Sequence, residues 1–402
     1  MEHFVVIGAG QAGQALVTRL RKDGFEGQIT LIGEEPVPPY ERPPLSKAYL
    51  LGEQALERLF LRPEQFYADQ NITLRMGQTV TAIDAAAKTV ELGSETISYD
   101  KLALTTGSTP RRLPAAIGGD LAGVYTVRTL ADVDAMAKEF AKGRKLLVVG
   151  GGYIGLEAAA VAAKLGLQVT VVEMAERILQ RVAAPETSDH IRALHQSHGV
   201  AIKENVGLSR LTGEDRVSGA ELTDGSSIDA DFVIVGVGIM PNTTLAELAG
   251  LELDNGIKTD AFSRTSDQNI WAAGDCASFP RNGGRIRLES VGNAIDQAEN
   301  AAANMMGAGE AYVAKPWFWS DQYDMKLQIA GLNTGYDNIV TRPGPNGSVS
   351  FWYYKGDSLL AVDAMNDARA YMLGKRLIEA GKSPDKQAIA DPDTDLKSLL
   401  RA

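Results

Sequence analysis

Two stretches of the chain repeat one order of apolar and polar positions. Residues 3–8 are an apolar run, residues 11–22 carry helical periodicity, and Gln28-Ile-Thr-Leu-Ile-Gly33 is apolar again. A short apolar run, an amphipathic helix and a second short run predict a βαβ unit built on a parallel sheet. The order returns as a strand over 145–149, a helix over 154–165 and a strand over 168–172. After Ala314 the pattern changes. Residues 317–330, 338–342 and 349–365 read as strands of an antiparallel sheet, Pro343-Gly-Pro-Asn-Gly347 as a hairpin-type turn, and 367–380 as a closing helix ended by Gly381.

Each βαβ unit carries spaced glycines at its first turn. The first reads Phe4-Val-Val-Ile-Gly8-Ala-Gly10-Gln-Ala12-Gly13, and the second Leu147-Val-Val-Gly150-Gly-Gly152-Tyr153-Ile154-Gly155, an offset of 142 positions. Such glycines permit a tight turn, close approach of a pyrophosphate and close helix–strand packing, and the helix N-terminus adds positive potential. Glu34 ends the second strand of the first unit, 21 positions beyond Gly13, and Glu173 holds the equivalent place in the second unit. An acid there accepts hydrogen bonds from the ribose hydroxyls and repels a 2′-phosphate, so the second unit is expected to prefer NADH. Arg177 and Arg181 follow nearby and could soften that choice. Two dinucleotides on one chain most simply mean a resident flavin and an exchanging nicotinamide.

Composition narrows the partners. A length of 402 residues suggests two or three domains, and 45% hydrophobic residues with 41 glycines read as a turn-rich α/β protein. A formal net charge of -11 argues against nucleic acid and anionic lipid. The first strand begins too near Met1 to leave room for a signal segment, and the most apolar helix, 154–167, is too short to span a membrane. A cytoplasmic protein is expected, in keeping with the single cysteine, Cys276.

Further segments carry a resemblance over nearly the whole chain. They are Tyr40-Glu-Arg42-Pro-Pro44-Leu-Ser-Lys47, Leu104-Thr-Thr106-Gly107-Ser, Val235-Gly-Val-Gly238-Ile-Met-Pro-Asn242, Ile270-Trp-Ala-Ala-Gly274-Asp275-Cys-Ala and Trp317-Phe-Trp319-Ser-Asp-Gln-Tyr-Asp324. In this order the chain resembles the NADH-dependent ferredoxin reductases of bacterial monooxygenase systems, the putidaredoxin reductase-like flavoproteins. The resemblance implies an α/β fold with two Rossmann-like dinucleotide-binding domains of glutathione reductase type and a C-terminal α+β interface domain. It divides the chain into an FAD domain over 1–112 and 243–315, an NADH domain over 113–242 and an interface domain over 316–402.

The same resemblance assigns roles. FAD would be bound by Gly8, Gly10, Ala12, Gly13, Glu34, Arg42, Pro44, Lys47, Val80, Thr106, Gly107, Arg128, Gly274, Asp275, Ser290, Val291 and Trp319. NADH would be bound by Gly150, Gly152, Tyr153, Ile154, Gly155, Glu157, Glu173 and Gly238. Asp275 would meet the ribityl or pyrophosphate region, Ser290 and Val291 the isoalloxazine rim, and Trp319 one face or edge of the ring. Lys47 and Glu157 would be the catalytic pair: a cation near the flavin stabilises its extra electron density on reduction, and a lysine so placed needs a counter-charge. Without these motifs, a surface lysine and a helical surface glutamate would be the plainer reading.

Cysteine chemistry is limited by the count. No second cysteine exists to form a redox pair, and Cys276 is expected to pack as a small apolar residue beside Asp275. His190, His195 and His198 are expected on a solvated helix face, with no metal bound. Electrons must then pass from the flavin directly to an outside acceptor. The expected partner is a two-iron two-sulfur ferredoxin that supplies a haem monooxygenase, met by a monomer or weak homodimer; Arg58, Arg62, Arg285, Arg287, Lys315 and Lys326 read either as a basic docking patch or as scattered solubilising charge. The alternatives are an NADH oxidase or quinone-type reductase, and a nucleotide-sensing flavoprotein.

Overall fold

A computed structural model describes residues 1–400. The chain forms two compact units, one of residues 1–42, 54–109 and 239–316, the other of residues 43–53, 110–238 and 317 onward. The segment 43–53, with Pro44 and Lys47, thus belongs to the second unit.

In the first unit, a parallel sheet runs in the order Ile270–Ala272, Lys101–Leu104, His3–Ile7, Gln28–Gly33 and Ile72–Met76. The central strand is apolar from Phe4 to Ile7 because both of its faces are covered there. Phe4 and Val6 pack with Leu16 and Leu20 of helix Gln11–Lys22 and with Ala298 and Ala302 of helix Val291–Met305. Val5 and Ile7 turn the other way, into a core shared with Ile83 and Val90 of a small antiparallel sheet.

The second unit repeats the plan. Its parallel sheet runs Ala201–Lys203, Gln168–Val172, Lys145–Val149, Phe232–Val235 and Val124–Tyr125. An antiparallel sheet follows in the order Trp317–Gln322, Met325–Gly331, Ser358–Met365, Val349–Lys355 and Asn338–Pro343. One face of that sheet packs on helix Ala368–Glu379 through Trp352, Val362, Leu373 and Leu377. The other supplies Leu327, Phe351, Tyr353 and Ala361 to a core with Leu156 and Ile191. Helix Tyr153–Lys164 is therefore covered by its own parallel sheet and by the antiparallel one, which is why its sequence is apolar nearly all round.

Two of the expected C-terminal strands are hairpins. The stretch 317–330 turns at Tyr323 and Asp324, with Tyr323 left-handed at φ 58°, and 349–365 turns at Gly356 and Asp357. The first turn lacks glycine, so an unbroken strand was the reading its pattern invited. Among the described residues no helix is long and apolar enough to cross a membrane.

A carboxyl group is buried in the apolar face of the antiparallel sheet. Asp363 accepts hydrogen bonds from the Thr187 hydroxyl at 2.7 Å and from the Tyr353 hydroxyl. Burial pushes its pKa up to about 6, against the pull of those two donors. With the folded pKa above the unfolded one, the protonated form is favoured by folding, and that stability is lost as pH rises through about 6. Asp363→Asn stays neutral, so its stability relative to the native chain should rise by up to about 3 kcal/mol between about pH 4 and 7. Denaturant unfolding at several pH values checks this, and a stability difference independent of pH would contradict it.

Candidate functional site

The first glycine loop divides its labour. Gly8 has φ +109°, and a Cβ there would lie 2.2 Å from the Thr105 carbonyl oxygen. A Cβ on Gly13 would lie 2.0 Å from the Gly8 oxygen, so these two glycines let helix and strands close together. Gly10 is different: no atom lies within 4 Å of a Cβ built there. It caps the N-terminus of helix Gln11–Lys22, whose first turn holds no acid. Open space over a helix N-terminus suits the pyrophosphate of a dinucleotide.

Several expected ligands gather at this loop. Gly274 has φ +82° and comes against Ala12, its built Cβ 3.1 Å from the alanine Cβ. The Gly274 amide donates to Gln297 Oε1 at 3.0 Å, while the buried Gln297 Nε2 has no hydrogen-bond partner. An orphaned buried donor beside the loop is what an absent polar ligand would leave. Asp275 accepts from the Ser108 hydroxyl at 2.8 Å, and Glu34 is exposed at the end of its strand. Arg42 pairs with Glu35 at 2.7 Å and lies over the Tyr40 ring.

Other candidates stand in supporting places. The Thr106 hydroxyl donates to the Asn242 carbonyl at 2.7 Å, and the Asn242 amine donates to the Thr106 carbonyl, bracing the turn at Gly107. Val80 is buried in the core. Ser290 caps helix Val291–Met305 by accepting from the Asn293 amide at 3.2 Å.

The second loop has the same geometry. A Cβ on Gly150, at φ +104°, would lie 2.5 Å from the Gly236 oxygen, and one on Gly155 2.5 Å from the Gly150 oxygen. At Gly152 the nearest atom stands 4.0 Å away. Glu173 reaches back to accept from the Gly151 amide at 2.7 Å and the Ala175 amide at 2.8 Å, fixing the carboxylate at the loop. Arg177 is committed to the Ser188 hydroxyl and the Ala183 carbonyl, so it does not offset Glu173 against a phosphate. At the helix start Ile154 is 43% exposed, while Tyr153 packs on Phe318 with its hydroxyl buried and unpartnered. Gly238 has φ +100°.

Lys47 and Glu157 meet, at 2.9 Å, with Glu157 only 5% exposed. Burial pushes the Glu157 pKa up, and Lys47, Ser320 and Ser46 oppose that rise. Ser46 donates to the same carboxylate oxygen as Lys47 at 2.8 Å, and Ser320 donates to the other at 2.8 Å. The two serines were not anticipated from the sequence. Ser46 had only its place beside Lys47 as a signal, and Ser320 none. Trp319, next on the strand to Ser320, stacks on Trp317 at 5.4 Å. Arg128 donates its amide to Asp132 at the capping box of helix Leu130–Ala137.

The pyridine nucleotide-disulphide oxidoreductase model matches residues 2–303, and a reductase C-terminal model matches residues 317–400. This chain belongs to the pyridine nucleotide-disulphide oxidoreductase family. Rhodocoxin reductase of Rhodococcus erythropolis is 44% identical over 402 residues, covering 99% of this chain and 94% of that protein. Putidaredoxin reductase of Pseudomonas putida is 40% identical over 410 residues, covering 100% and 97%. Among solved structures, a covalent putidaredoxin reductase–putidaredoxin complex aligns with TM-score 0.95 at 38% identity, over 100% of this chain and 98% of that one. The family's members work with FAD and a pyridine nucleotide, and this chain is an oxidoreductase of that kind.

Despite the family's name, this oxidoreductase has no dithiol. Its single cysteine, Cys276, is buried and hydrogen-bonds the Ala273 and Leu104 carbonyls, and burial pushes the thiol pKa up.

One expectation needs correction. His195 does not lie on a solvated face: it is fully buried, because the antiparallel sheet covers that side of helix Pro185–Ser197. Among the residues named for a basic patch, Arg285 and Arg287 are held by backbone. Arg285 donates to the Thr259 and Ser278 carbonyls, and Arg287 to those of Asn255 and Asp275 while pairing with Glu289. Lys326 pairs with Asp321.

Room at Gly10 against crowding at Gly13 gives a direct test. Gly10→Ala should leave the melting temperature of the apoprotein unchanged and weaken FAD retention at least about tenfold, whereas Gly13→Ala should destabilise the apoprotein itself. Thermal melts and FAD content after dialysis check this. Full FAD retention by a well-folded Gly10→Ala would contradict the assignment.

Proposed function

We propose that this oxidoreductase is an NADH-dependent ferredoxin reductase, with FAD on the first glycine loop and NADH on the second. The reading rests on one observation above others: two loops of matching geometry each keep the middle glycine open, while the chain's only thiol is sealed in the core. Bound FAD would accept a hydride, with its electron pair, from NADH and release the two electrons singly.

The residues divide the remaining work. The backbone at Gly8, Gly10, Ala12 and Gly13 receives the FAD pyrophosphate, and Glu34 the adenosine ribose. Gly274 and Asp275 hold the cofactor's middle section. Gly150, Gly152 and Gly155 receive NADH, with Tyr153, Ile154 and Gly238 beside it, and the fixed carboxylate of Glu173 turns away a 2′-phosphate. Lys47, paired with Glu157, supplies positive charge to the reduced flavin. Pro44, Lys47, Arg128 and Trp319 come to the flavin by the family resemblance, as do Arg42, Val80, Thr106, Gly107, Ser290 and Val291. In domain terms, 1–112 with 243–315 binds FAD, 113–242 binds NADH and 316–402 is the interface domain.

The acceptor is a two-iron two-sulfur ferredoxin that supplies a haem monooxygenase. Relatives named for rhodocoxin and putidaredoxin support this choice, and the want of a thiol relay favours a one-electron acceptor outside the chain. The purified protein should be yellow, and NADH oxidation should rise at least about tenfold on adding a [2Fe-2S] ferredoxin from an oxygenase system. Equal turnover with oxygen or quinone alone, and no gain with any ferredoxin, would overturn the proposal in favour of an oxidase.

A further inference from the structure

We infer that Ser320, Gln322 and His195 are positioning residues, forming a one-way hydrogen-bond chain that ends on Glu157 and holds it as the partner of Lys47. The chain is continuous. Ser320 Oγ lies 2.8 Å from Glu157 Oε1, Gln322 Nε2 lies 3.1 Å from Ser320 Oγ, and His195 Nε2 lies 2.7 Å from Gln322 Oε1. At its far end the Tyr323 hydroxyl lies 3.1 Å from His195 Nδ1, and the Tyr323 ring stacks on exposed His198 at 3.7 Å. Ser320 and Gln322 alternate along one strand and so share a face, against the helices that carry Glu157 and His195.

Only two polarities are open to such a chain. Burial pushes the His195 pKa down to about 4, so near neutral pH the ring carries one N–H. If that hydrogen is on Nε2, it donates to the Gln322 oxygen, the Gln322 amide nitrogen donates to Ser320, and Ser320 donates to Glu157. If it is on Nδ1, every link reverses, and two oxygens 2.8 Å apart, Ser320 Oγ and Glu157 Oε1, would face each other without a hydrogen between them. A carboxylate can only accept, so Glu157 selects the first polarity, and the tautomer of His195 follows from a charge three hydrogen bonds away.

The chain orients and does not conduct. An amide in its middle passes on direction but no proton, and proton movement along it would stop at Gln322. Each member is buried, and each satisfies the next, so a lost link leaves its neighbour short of a partner in a place where that is costly. The charged and titratable groups that bear on Glu157 are Lys47 from segment 43–53 and Tyr153 one turn earlier, itself near Asp363 and Tyr353. Those bearing on His195 are His198 and Tyr323.

What the chain does for electron transfer rests on the role proposed for Lys47, but its polarity does not. Nitrogen-15 NMR of the holoenzyme with labelled histidine should show His195 protonated on Nε2 and bare on Nδ1 at neutral pH. The opposite tautomer would overturn the inference. Infrared titration of the Glu157 carboxyl, assigned by its loss in Glu157→Gln, adds a test of reach. Gln322→Leu touches no atom of Glu157, yet should move that titration to higher pH, and an unmoved titration in a folded variant would overturn the chain. Should Gln322→Leu not fold, the tautomer of the unaltered holoenzyme decides. A flavin midpoint potential left unchanged by Lys47→Met would instead sink the role given to Lys47, so the two failures are distinguishable.

Discussion

The structure depends on backbone approaching backbone where each nucleotide-type helix begins. At Gly8 and Gly150 the chain turns left-handed against a neighbouring carbonyl, and at Gly13 and Gly155 the helix presses on the loop it leaves. No side chain can enter these contacts. Because they close, helix Gln11–Lys22 and helix Tyr153–Lys164 point their N-termini past the ends of parallel strands, and the middle glycine is left facing space. Crowding at two positions and vacancy at the third are one design, repeated in each unit.

The second constraint is a charge in an apolar helix. Covered by a sheet on each side, helix Tyr153–Lys164 carries its only acid, Glu157, where an unpaired carboxylate would cost several kcal/mol. Lys47, Ser46 and Ser320 meet that demand from two other segments of the same unit. The pair is thus a structural obligation as well as a candidate for chemistry, and the C-terminal sheet, through Ser320, is bound to it.

Local pattern made the nucleotide folds legible. Their signals lie within about thirty residues of one another, in glycine spacing, apolar runs and the acids Glu34 and Glu173. The Lys47–Glu157 pair needed the family resemblance, because its members stand far apart in the chain. What stayed hidden was set by distant packing. His195 reads as a surface histidine until a strand from residue 317 onward covers it, and Ser46, Ser320 and Gln297 have no pattern that marks them. Sequence shows the charge of Arg285 and Arg287 but not the backbone carbonyls that hold them. The turn at Tyr323 has no glycine to mark it.

The proposed function turns on a change in electron number: a pair arrives from NADH, and single electrons leave without sulfur chemistry. An anaerobic stoichiometric titration tests it most directly, adding NADH to the holoprotein with excess [2Fe-2S] ferredoxin and following the flavin and cluster absorbance together. Two ferredoxins should be reduced for each NADH, with Cys276→Ser giving the same ratio. Flavin that NADH cannot bleach, or bleached flavin that leaves every ferredoxin oxidised, would contradict it.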